Sequence, residues 1–403
     1  MAEVKEVKKR NVAIEFWRFF TAIAIVGFHI GWIIARTCNE TTGYYMETSN
    51  WFFGSSEVLL LFTITAGYFM VAHFKKLAKE PKYNERSATS RAFEYTWQRI
   101  KTLLPVLIIG YILGVVFCTA FFYPDYGVKE TLGMVVNSIW EFLGFHAAGL
   151  RNTGGQFFNL NGPLWFISAI IIVGYFIYWG LCKDEDKTSG FVAPLLTIFL
   201  AGWWSFTDTR AAQTAWSTFG FQTASSNGMG GSATAATPTL GFNNGLIFVM
   251  LGMLIGVILY YVLEKVKEHE FKCGWLLTIL NVVVSGLLGW YIIYQPTYFE
   301  LQRWPVALLC ILVVALSLLN KDALTQVLNN KYTNGLLQYL GGLSLYVYMV
   351  HYPIAILVLR ILGKNSESSM YSFWQIYLPA LIISILLSML VKFVMEKTIL
   401  KKK

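Results

Sequence analysis

Apolar runs of about 20 residues recur along the whole of this 403-residue chain. With a helical rise of 1.5 Å per residue, a run of about 20 apolar residues matches the thickness of the hydrocarbon core of a bilayer. We therefore predict an all-α integral membrane protein with about ten transmembrane helices. The predicted spans cover residues 12–35, 51–74, 103–123, 162–182, 190–207, 243–263, 273–294, 304–320, 336–360 and 371–395.

The composition excludes an ordinary soluble domain. Hydrophobic residues make up 56% of the chain and charged residues only 14%, and the mean hydropathy is +0.52. Soluble domains typically contain about 45–50% apolar and about 25% charged residues. The chain is therefore expected to form a single membrane-embedded domain over residues 1–403, multi-pass in a cell membrane, with no appended soluble domain.

The distribution of lysine and arginine predicts the orientation. If ten spans alternate from a cytoplasmic N-terminus, the cytoplasmic segments hold 24 basic residues and the outside segments hold seven. Because cytoplasmic segments typically carry such an excess, both termini are predicted to be cytoplasmic. The formal net charge of +9 then belongs mostly to that membrane face, where it can contact anionic lipid headgroups. It is poor evidence for nucleic-acid binding, and no nucleic-acid partner is predicted.

Three segments do not fit the pattern of simple spans. The stretch 131–147 is shorter and more polar than the spans and is predicted to be an interfacial helix. The longest outside loop, residues 208–242, has low sequence complexity and is predicted to be flexible. The N-terminal apolar stretch is too long for a signal-peptide core, so we expect it to remain attached as the first span.

The sequence offers no pattern for a metal or a permanently bound cofactor. Its five cysteines lack C-x-x-C spacing, so neither a zinc site nor a disulfide framework is predicted. A P-loop, a G-x-G-x-x-G after a strand, an H-E-x-x-H and a G-x-S-x-G are all missing. Their absence removes the commonest nucleotide-binding, metalloprotease and serine-hydrolase interpretations.

The first span carries three ionisable residues, Glu15, Arg18 and His29. At 100° per residue, Arg18 and His29 are separated by three turns plus about 20°, so the three residues share one face. Glu15 and Arg18 can pair at i, i+3, or Arg18 can bind an entering phosphate or carboxylate. His29 lies about 16 Å further along the axis and is suited to proton transfer. The structural alternative places Glu15 and Arg18 among headgroups and bonds His29 to a neighbouring helix.

A second cationic cluster precedes the third predicted span. The segment "RAFEYTWQRIKTLLP" places Arg91, Arg99 and Lys101 before an apolar run whose Pro105 falls near the start of that span. The cluster can bind a polyphosphate at the membrane surface, or it can simply anchor the helix by the positive-inside rule.

Two further elements complete a series that occurs in a fixed order along the chain. The segment "NGPLWFISAIIIVGYFI" contains Trp165, and the segment "GGLSLYVYMVHYPI" contains Ser344, Tyr348 and His351. With "FTITAGYFM" in the second span, "RIKTLLP" and the first-span triad, they make five elements. Together these elements resemble the family 3 membrane acyltransferases, which include bacterial O-acetyltransferases of surface polysaccharides.

The chain departs from the family pattern at three positions. The family more often has Asp where this chain has Glu15, and Ser where this chain has Ala66. Its R-x-x-R-x-x-P element is matched here at Arg99 and Pro105, but Thr102 replaces the second arginine. The last change affects the expected contact with the phosphates of the acyl donor.

The resemblance implies transfer of an acyl group, usually acetyl, from acyl-CoA to a hydroxyl of a cell-surface or lipid-linked glycan. Arg18, Arg99, Lys101 and Arg91 are then expected to bind the acyl donor at the cytoplasmic face, with Glu15 holding Arg18. His29 is expected to act as the base, either directly or through an acyl-histidine. Acetyl-CoA is the expected donor substrate, and membrane lipids and glycan-assembly proteins are the other expected partners.

The remaining family-matched residues have structural alternatives. His351 can form a second polar wall of the site or a hydrogen bond between helices, and the latter is favoured. Ser344 and Tyr348 are more typical of packing, and Trp165 of membrane-interface anchoring. A secondary transporter or glycan flippase is the alternative function, although the chain shows no internal repeat. A catalytically inert member that organises glycan export is a third.

Overall fold

The computed structural model describes most of the chain as helices. The described residues are 11–41, 51–52, 55–117, 119–120, 125–139, 143, 161, 163–207, 244–268, 274–294, 303–363 and 373–398. In chain order the helices are α1 (Val12–Thr41), α2 (Ser55–Leu77), α3 (Pro81–Asn84), α4 (Ala88–Phe117), α5 (Val128–Asn137), α6 (Leu164–Lys183), α7 (Glu185–Lys187), α8 (Ala193–Thr207, preceded by a π-turn over Thr188–Val192), α9 (Asn244–Lys267), α10 (Gly274–Ile293), α11 (Arg303–Leu319), α12 (Ala323–Leu328), α13 (Lys331–Gly363) and α14 (Phe373–Thr398). Within these ranges there is no strand, which confirms the all-α prediction.

Among the residues that the structure describes, eight helices are long and apolar enough to cross a membrane. They are α1, α2, α4, α6, α9, α10, α13 and α14. The other two predicted spans, 190–207 and 304–320, fall on the shorter helices α8 and α11, of 15 and 17 residues. The protein is therefore a multi-pass membrane protein, and the prediction of two cytoplasmic termini stays a prediction.

Helix α4 begins earlier than predicted. The sequence placed the third span at 103–123, with Pro105 near its start, but the helix already begins at Ala88. The twelve residues before Lys101 contain no glycine or proline, so the helix continues through the cationic segment without a break. Pro105 therefore lies inside a 30-residue helix.

The helices divide into a buried core and an exposed periphery. In α1, α2, α9 and α13 most of the apolar segment is buried, whereas in α4, α10 and α14 only 28% of it is buried. The exposed side of α14 is a stripe of large apolar side chains at helical spacing: Leu378, Ile382, Leu386, Leu390 and Phe393. Such a stripe is unfavourable in water and suits contact with lipid chains.

Polar contacts gather several helix ends at one end of the bundle, which we call the basic end. Lys75, at the end of α2, forms an ion pair with Glu185. The Tyr261 hydroxyl of α9 donates to the same carboxylate at 2.7 Å. The Lys321 ammonium donates to the Lys267 carbonyl at 3.4 Å. The four segments that contain Lys75, Glu185, Lys267 and Lys321 were all predicted to lie on the cytoplasmic side. The structure places these segments at the same end of the bundle, as the charge pattern requires.

Aromatic residues gather at the opposite end. Trp51 and Tyr294 form an isolated antiparallel bridge, and their rings meet at a centroid distance of 5.8 Å. The Phe52 ring lies 6.1 Å from the ring of Phe373 and 5.0 Å from that of Tyr377. These residues lie near helix ends that the charge pattern assigns to the outside, so the two ends of the bundle match the two predicted faces.

Helix α11 extends from the basic end despite its length. The Asn11 side-chain amide donates to the Ser317 carbonyl at 2.7 Å, which holds the last turn of α11 beside the start of α1. At 1.5 Å per residue, 17 residues span about 26 Å. Helix α11 therefore covers most of the hydrocarbon thickness of about 30 Å.

The predicted interfacial helix begins three residues before the predicted position. It was placed at 131–147, and α5 covers Val128–Asn137. Val128, Leu132 and Val136 form an exposed apolar stripe along it. Residues 140–142 and 144–147 lie outside the described part of the chain, as does the whole predicted loop 208–242.

Helices α2 and α9 approach each other through glycines. The α9 segment "GMLIG" is a G-x-x-x-G motif, a pattern that allows close packing of membrane helices. A Cβ on Gly256 would lie 2.1 Å from the Ile64 carbonyl oxygen, and one on Gly67 would lie 2.1 Å from the Met253 carbonyl oxygen. Because these neighbours are backbone atoms, they cannot rotate away, and any larger residue must push the helices apart.

Replacing Gly256 with alanine should therefore destabilise the bundle. We expect Gly256→Ala to cost about 1–3 kcal/mol, because the new methyl group must displace the backbone of α2. Gly289→Ala is the matched control, since a Cβ there meets no atom within 4 Å. Thermal unfolding of the purified proteins in one detergent gives the comparison. Equal melting temperatures for the two variants would contradict the close α2–α9 contact.

Candidate active site

Glu15 and Arg18 form an ion pair on α1. The Arg18 Nη1 atom lies 3.2 Å from Glu15 Oε1 and 3.4 Å from Glu15 Oε2. The Glu15 side chain is only 7% exposed, whereas that of Arg18 is 34% exposed. A buried carboxylate requires such a partner because its desolvation is costly. The guanidinium thus remains accessible to an anion while its orientation is fixed.

Gly341 on α13 makes room for the Glu15 carboxylate. A Cβ at this position would lie 2.1 Å from Glu15 Oε2 and 2.9 Å from the Glu15 Cα atom. The backbone of α13 therefore lies directly against Glu15. This glycine, the first residue of the "GGLSLYVYMVHYPI" element, has a physical role here, since any side chain would displace the carboxylate that holds Arg18.

His29 is hydrogen-bonded to His351, at the other end of the α1–α13 contact. The His351 Nε2 and His29 Nδ1 atoms lie 3.0 Å apart, and the ring centroids are 4.9 Å apart. Both side chains are buried, with residue exposures of 4% and 0%. The Tyr352 ring meets the His29 ring edge-on at 5.6 Å. The hydrogen bond between helices expected for His351 is therefore present, and its partner is His29 itself.

The backbone carbonyls around the two histidines determine their tautomers. The His351 Nδ1 atom lies 2.8 Å from the Tyr348 carbonyl oxygen, and the His29 Nδ1 atom lies 3.0 Å from the Ile25 carbonyl oxygen. A carbonyl can only accept, so we assign to both neutral rings the tautomer with the proton on Nδ1. The His29 Nδ1–H group can then also donate to His351 Nε2. The lone pair of His29 consequently resides on Nε2, the atom that would act as a base.

Tyr348 ties the same turn of α13 to the segment before α6. Its hydroxyl is buried and donates to the Pro163 carbonyl at 3.0 Å. Ser344 donates to the Gly341 carbonyl at 2.7 Å, within its own helix. Trp165 is half-buried and meets the Phe166 ring edge-on at 5.6 Å. Only the Tyr348 bond joins two elements, as a packing role expects, whereas Ser344 and Trp165 make these contacts within their own helices.

Asn161 is a site-region residue that the sequence reasoning missed. It is fully buried, and its amide nitrogen donates to the Gly110 carbonyl at 3.1 Å and to the Met349 carbonyl at 2.8 Å. It thereby connects α4 with α13. The sequence did contain one signal for such a residue, which is Pro353. Because proline has no N–H, the Met349 carbonyl lacks its usual helical partner and needs another donor.

The three cationic residues of α4 have separate surroundings. The Arg91 guanidinium donates to the Cys182 carbonyl and lies 5.2 Å from the centre of the Tyr83 ring. Lys101 is exposed and lies 5.3 Å from the centre of the exposed Trp97 ring. In contrast, the half-buried Arg99 guanidinium lies over a buried ring, that of Tyr95, at 5.0 Å. The cluster predicted from charge is thus distributed over more than one side of α4.

An aromatic column supports Arg99. The Tyr95 ring stacks on the Tyr178 ring at a centroid distance of 4.0 Å and an interplanar angle of 2°. The Tyr178 hydroxyl in turn lies 2.7 Å from the Tyr83 hydroxyl. Burial raises the pKa of Tyr83 to about 12, so this hydroxyl stays neutral at physiological pH. The column beneath Arg99 therefore ends in a neutral hydroxyl, that of Tyr83.

The structure thus unites two pairs of predicted residues, Glu15 with Arg18 and His29 with His351. Across the described ranges, no group of three or more His, Cys, Asp or Glu side chains is placed to hold a metal ion. Chemically, the arrangement combines accessible guanidinium groups near one end of the bundle with an imidazole base in a buried setting. Anion binding at one place and proton abstraction at another are what these groups can perform.

Comparison with known families gives the same class of chemistry. A family model described as an acyltransferase domain matches residues 11–393, nearly the whole chain. No curated protein and no solved structure matches the chain. Because the family match extends from the start of α1 to α14, it includes the ion pair and both histidines. The chain belongs to the family 3 acyltransferases, and it is a membrane-embedded acyltransferase.

Proposed function

We propose that this acyltransferase moves an acetyl group from acetyl-CoA to a hydroxyl of a cell-surface or lipid-linked glycan, in the cell membrane. The observation that carries the proposal is the buried His29–His351 pair, in which we assign the lone pair of His29 to Nε2 because Nδ1 faces the Ile25 carbonyl. A carbohydrate hydroxyl is a weak nucleophile, so its attack on a thioester requires a base at the reacting oxygen.

The spacing of charged groups supports a long anionic acyl donor. Arg18 and His29 are eleven residues apart on α1, and Arg99 and Gly110 are eleven residues apart on α4. Each interval corresponds to about 16 Å along a helix axis. Gly110 contacts Asn161, which also contacts the turn of α13 that bears His351. On both helices a cation therefore lies a similar distance below the histidine level, as phosphates at one end of an extended pantetheine arm would require.

The four cations have different roles in this proposal. Arg18 and Arg99 are the best placed to bind phosphate, because each guanidinium is held in position by a neighbouring side chain. Lys101 contributes a more exposed positive charge at the same end. Arg91 has a structural role, because its hydrogen bond to the Cys182 carbonyl holds the start of α4 against the end of α6.

Acyl transfer requires one proton to leave the acceptor hydroxyl and to reach the CoA leaving group. His29 Nε2 removes the hydroxyl proton as the hydroxyl oxygen attacks the thioester carbonyl carbon. The resulting imidazolium is stabilised by its Nδ1–H, which donates to His351 Nε2 and to the Ile25 carbonyl. The carbon–sulfur bond then breaks, the ester forms, and the His29 Nε2 proton passes to the departing CoA thiolate. Atoms and charge balance over these steps.

The same lone pair supports a covalent route. His29 Nε2 would attack the thioester carbonyl carbon first, so that CoA leaves as the thiolate and an N-acyl-imidazolium with its proton on Nδ1 remains. The glycan hydroxyl would then attack the acyl carbon, the carbon–nitrogen bond would break to restore neutral His29, and the hydroxyl proton would pass through water to the CoA thiolate. Mass measurement of enzyme quenched after mixing with acetyl-CoA alone distinguishes the two routes. An acetyl group on His29 supports the covalent route, and unmodified enzyme supports direct transfer.

Substitution of His29 should separate chemistry from acyl-donor binding. We expect His29→Ala to lower kcat by about 10²- to 10⁴-fold while acetyl-CoA still binds, because the base is removed and the cations that bind phosphate remain. His269→Ala is the control, since the segment "EKVKEHEFK" that contains His269 is rich in charged residues and is expected to be solvated. Acetyl-CoA binding and acetyl transfer are measured with purified protein in lipid. Loss of binding in His29→Ala, or full turnover, would contradict the role of His29.

Substitution of Arg18 should affect the binding of the acyl donor and not the chemical step. We expect Arg18→Ala to raise the KM for acetyl-CoA about 10-fold or more, the loss of one charge-assisted hydrogen bond. Arg86→Ala is matched for charge, because Arg86 is an exposed arginine paired with exposed Glu94. If both variants raise KM equally, the effect is a general loss of positive charge. If wild type has no affinity for acetyl-CoA or any other acyl-CoA, the proposed acyl donor is wrong.

His351 should act through His29. In His351→Phe the new side chain fills the same space, but it cannot accept a hydrogen bond from the His29 Nδ1–H group. We therefore expect kcat to fall about 10- to 100-fold. His351→Gln supplies an amide oxygen that can accept this hydrogen bond, so it should retain more activity than the phenylalanine variant. The two kcat values are compared at saturating acetyl-CoA. Equal kcat values in these variants would show that the acceptor atom of His351 does not matter.

A further inference from the structure

Pro353 creates a backbone problem immediately beside His351. Proline has no N–H, so the Met349 carbonyl cannot receive its usual hydrogen bond from residue 353. Helix α13 nevertheless continues through this point, from Lys331 to Gly363. Inside a membrane protein, a carbonyl that loses its helical partner must find another donor, because no bulk water is available.

Asn161 supplies that donor. Its amide nitrogen lies 2.8 Å from the Met349 carbonyl oxygen and 3.1 Å from the Gly110 carbonyl oxygen. Both partners can only accept, so the amide is oriented with its NH₂ group toward them. Gly110 permits this approach, because a Cβ there would lie 3.1 Å from the Asn161 amide nitrogen and 3.2 Å from the Met349 oxygen.

The same turn of α13 is held at a second point. The Tyr348 hydroxyl donates to the Pro163 carbonyl, two residues after Asn161. Residues 161 and 163 therefore contact consecutive residues of α13, Tyr348 and Met349. The turn between them and Pro353 carries His351, whose Nδ1–H in turn donates to the Tyr348 carbonyl.

We propose that Asn161 is a positioning residue for acyl transfer, a clasp that sets the proline turn of α13 so that His351 Nε2 meets His29. Because Asn161 also holds Gly110 of α4, the clasp fixes the helix that carries Arg99 relative to the histidine pair. This inference rests on the proposed function for its effect on turnover. Its effect on the histidine pair does not depend on any substrate.

A double-mutant cycle with Pro353 tests the clasp. Pro353→Ala restores an N–H that can bond to the Met349 carbonyl, so Asn161 becomes less necessary. We expect Asn161→Ala to lower kcat about 10-fold or more with little change in the KM for acetyl-CoA, since one buried hydrogen bond that positions the base is lost. In the Pro353→Ala background, the same substitution should lower kcat and the melting temperature by less. The remaining loss reflects the bond to Gly110.

A spectroscopic measurement reports on the histidine pair directly. The chain has only five histidines, so ¹⁵N-histidine NMR signals can be assigned with single His→Gln variants. We expect the His29 and His351 ring signals to shift in Asn161→Ala and to return toward wild type when Pro353→Ala is added. A purely structural role for Asn161 would lower the melting temperature and leave these two signals in place.

The outcomes are distinguishable. Equal losses of melting temperature and kcat in both backgrounds, or unchanged histidine signals with wild-type kcat in Asn161→Ala, would overturn the clasp. If Asn161→Ala does not accumulate as folded protein, the clasp predicts that adding Pro353→Ala restores folded protein. A double variant that also fails to fold would overturn the clasp. A wild type without acyl-CoA turnover would refute the proposed function alone, because the melting and NMR cycles need no substrate.

Discussion

The hydrogen bond between His29 and His351 depends on the parallel packing of α1 against α13. The two helices meet first where Gly341 admits the Glu15 carboxylate and again, further along both chains, at the histidine pair. Gly341 is what allows the backbones to approach at the first contact. The ion pair that orients Arg18 and the base that we assign to transfer are therefore two consequences of one helix–helix interface, and a change in the register of that interface would disturb both.

Much of the fold was predictable because hydropathy and length decide which segments cross a membrane. The pairing of Glu15 with Arg18 was also predictable, since an i, i+3 spacing is local. The bond from His29 to His351 was not, because it joins residues 322 positions apart and depends on which helices are neighbours. The sequence could suggest a helix-to-helix bond for each histidine separately, but helical periodicity contains no information about their partners.

The start of α4 and the surroundings of its cations illustrate a second limit. Hydropathy marks the lipid-crossing part of a helix, so it could not show that the polar segment from Ala88 is helical too. Once that segment is a helix, Arg99 and Lys101 lie about 160° apart around its axis and cannot share one surface. Charge counting grouped them, while the helix separates Arg99 over Tyr95 from Lys101 over Trp97.

The placement of charge follows from the cost of desolvation. A permanently ionised group is tolerated where it is paired or partly exposed, as Arg18 is beside Glu15. The histidines are more deeply buried, and there two neutral imidazoles satisfy each other and the carbonyls of Ile25 and Tyr348 without a standing charge. In the proposed reaction a charge arises there only while His29 holds the acceptor proton, and the Nδ1–H groups already point at acceptors that can stabilise it. The bundle can therefore keep a base in a low-dielectric interior, because the hydrogen bonds that define its tautomer are the same bonds that its protonated form requires.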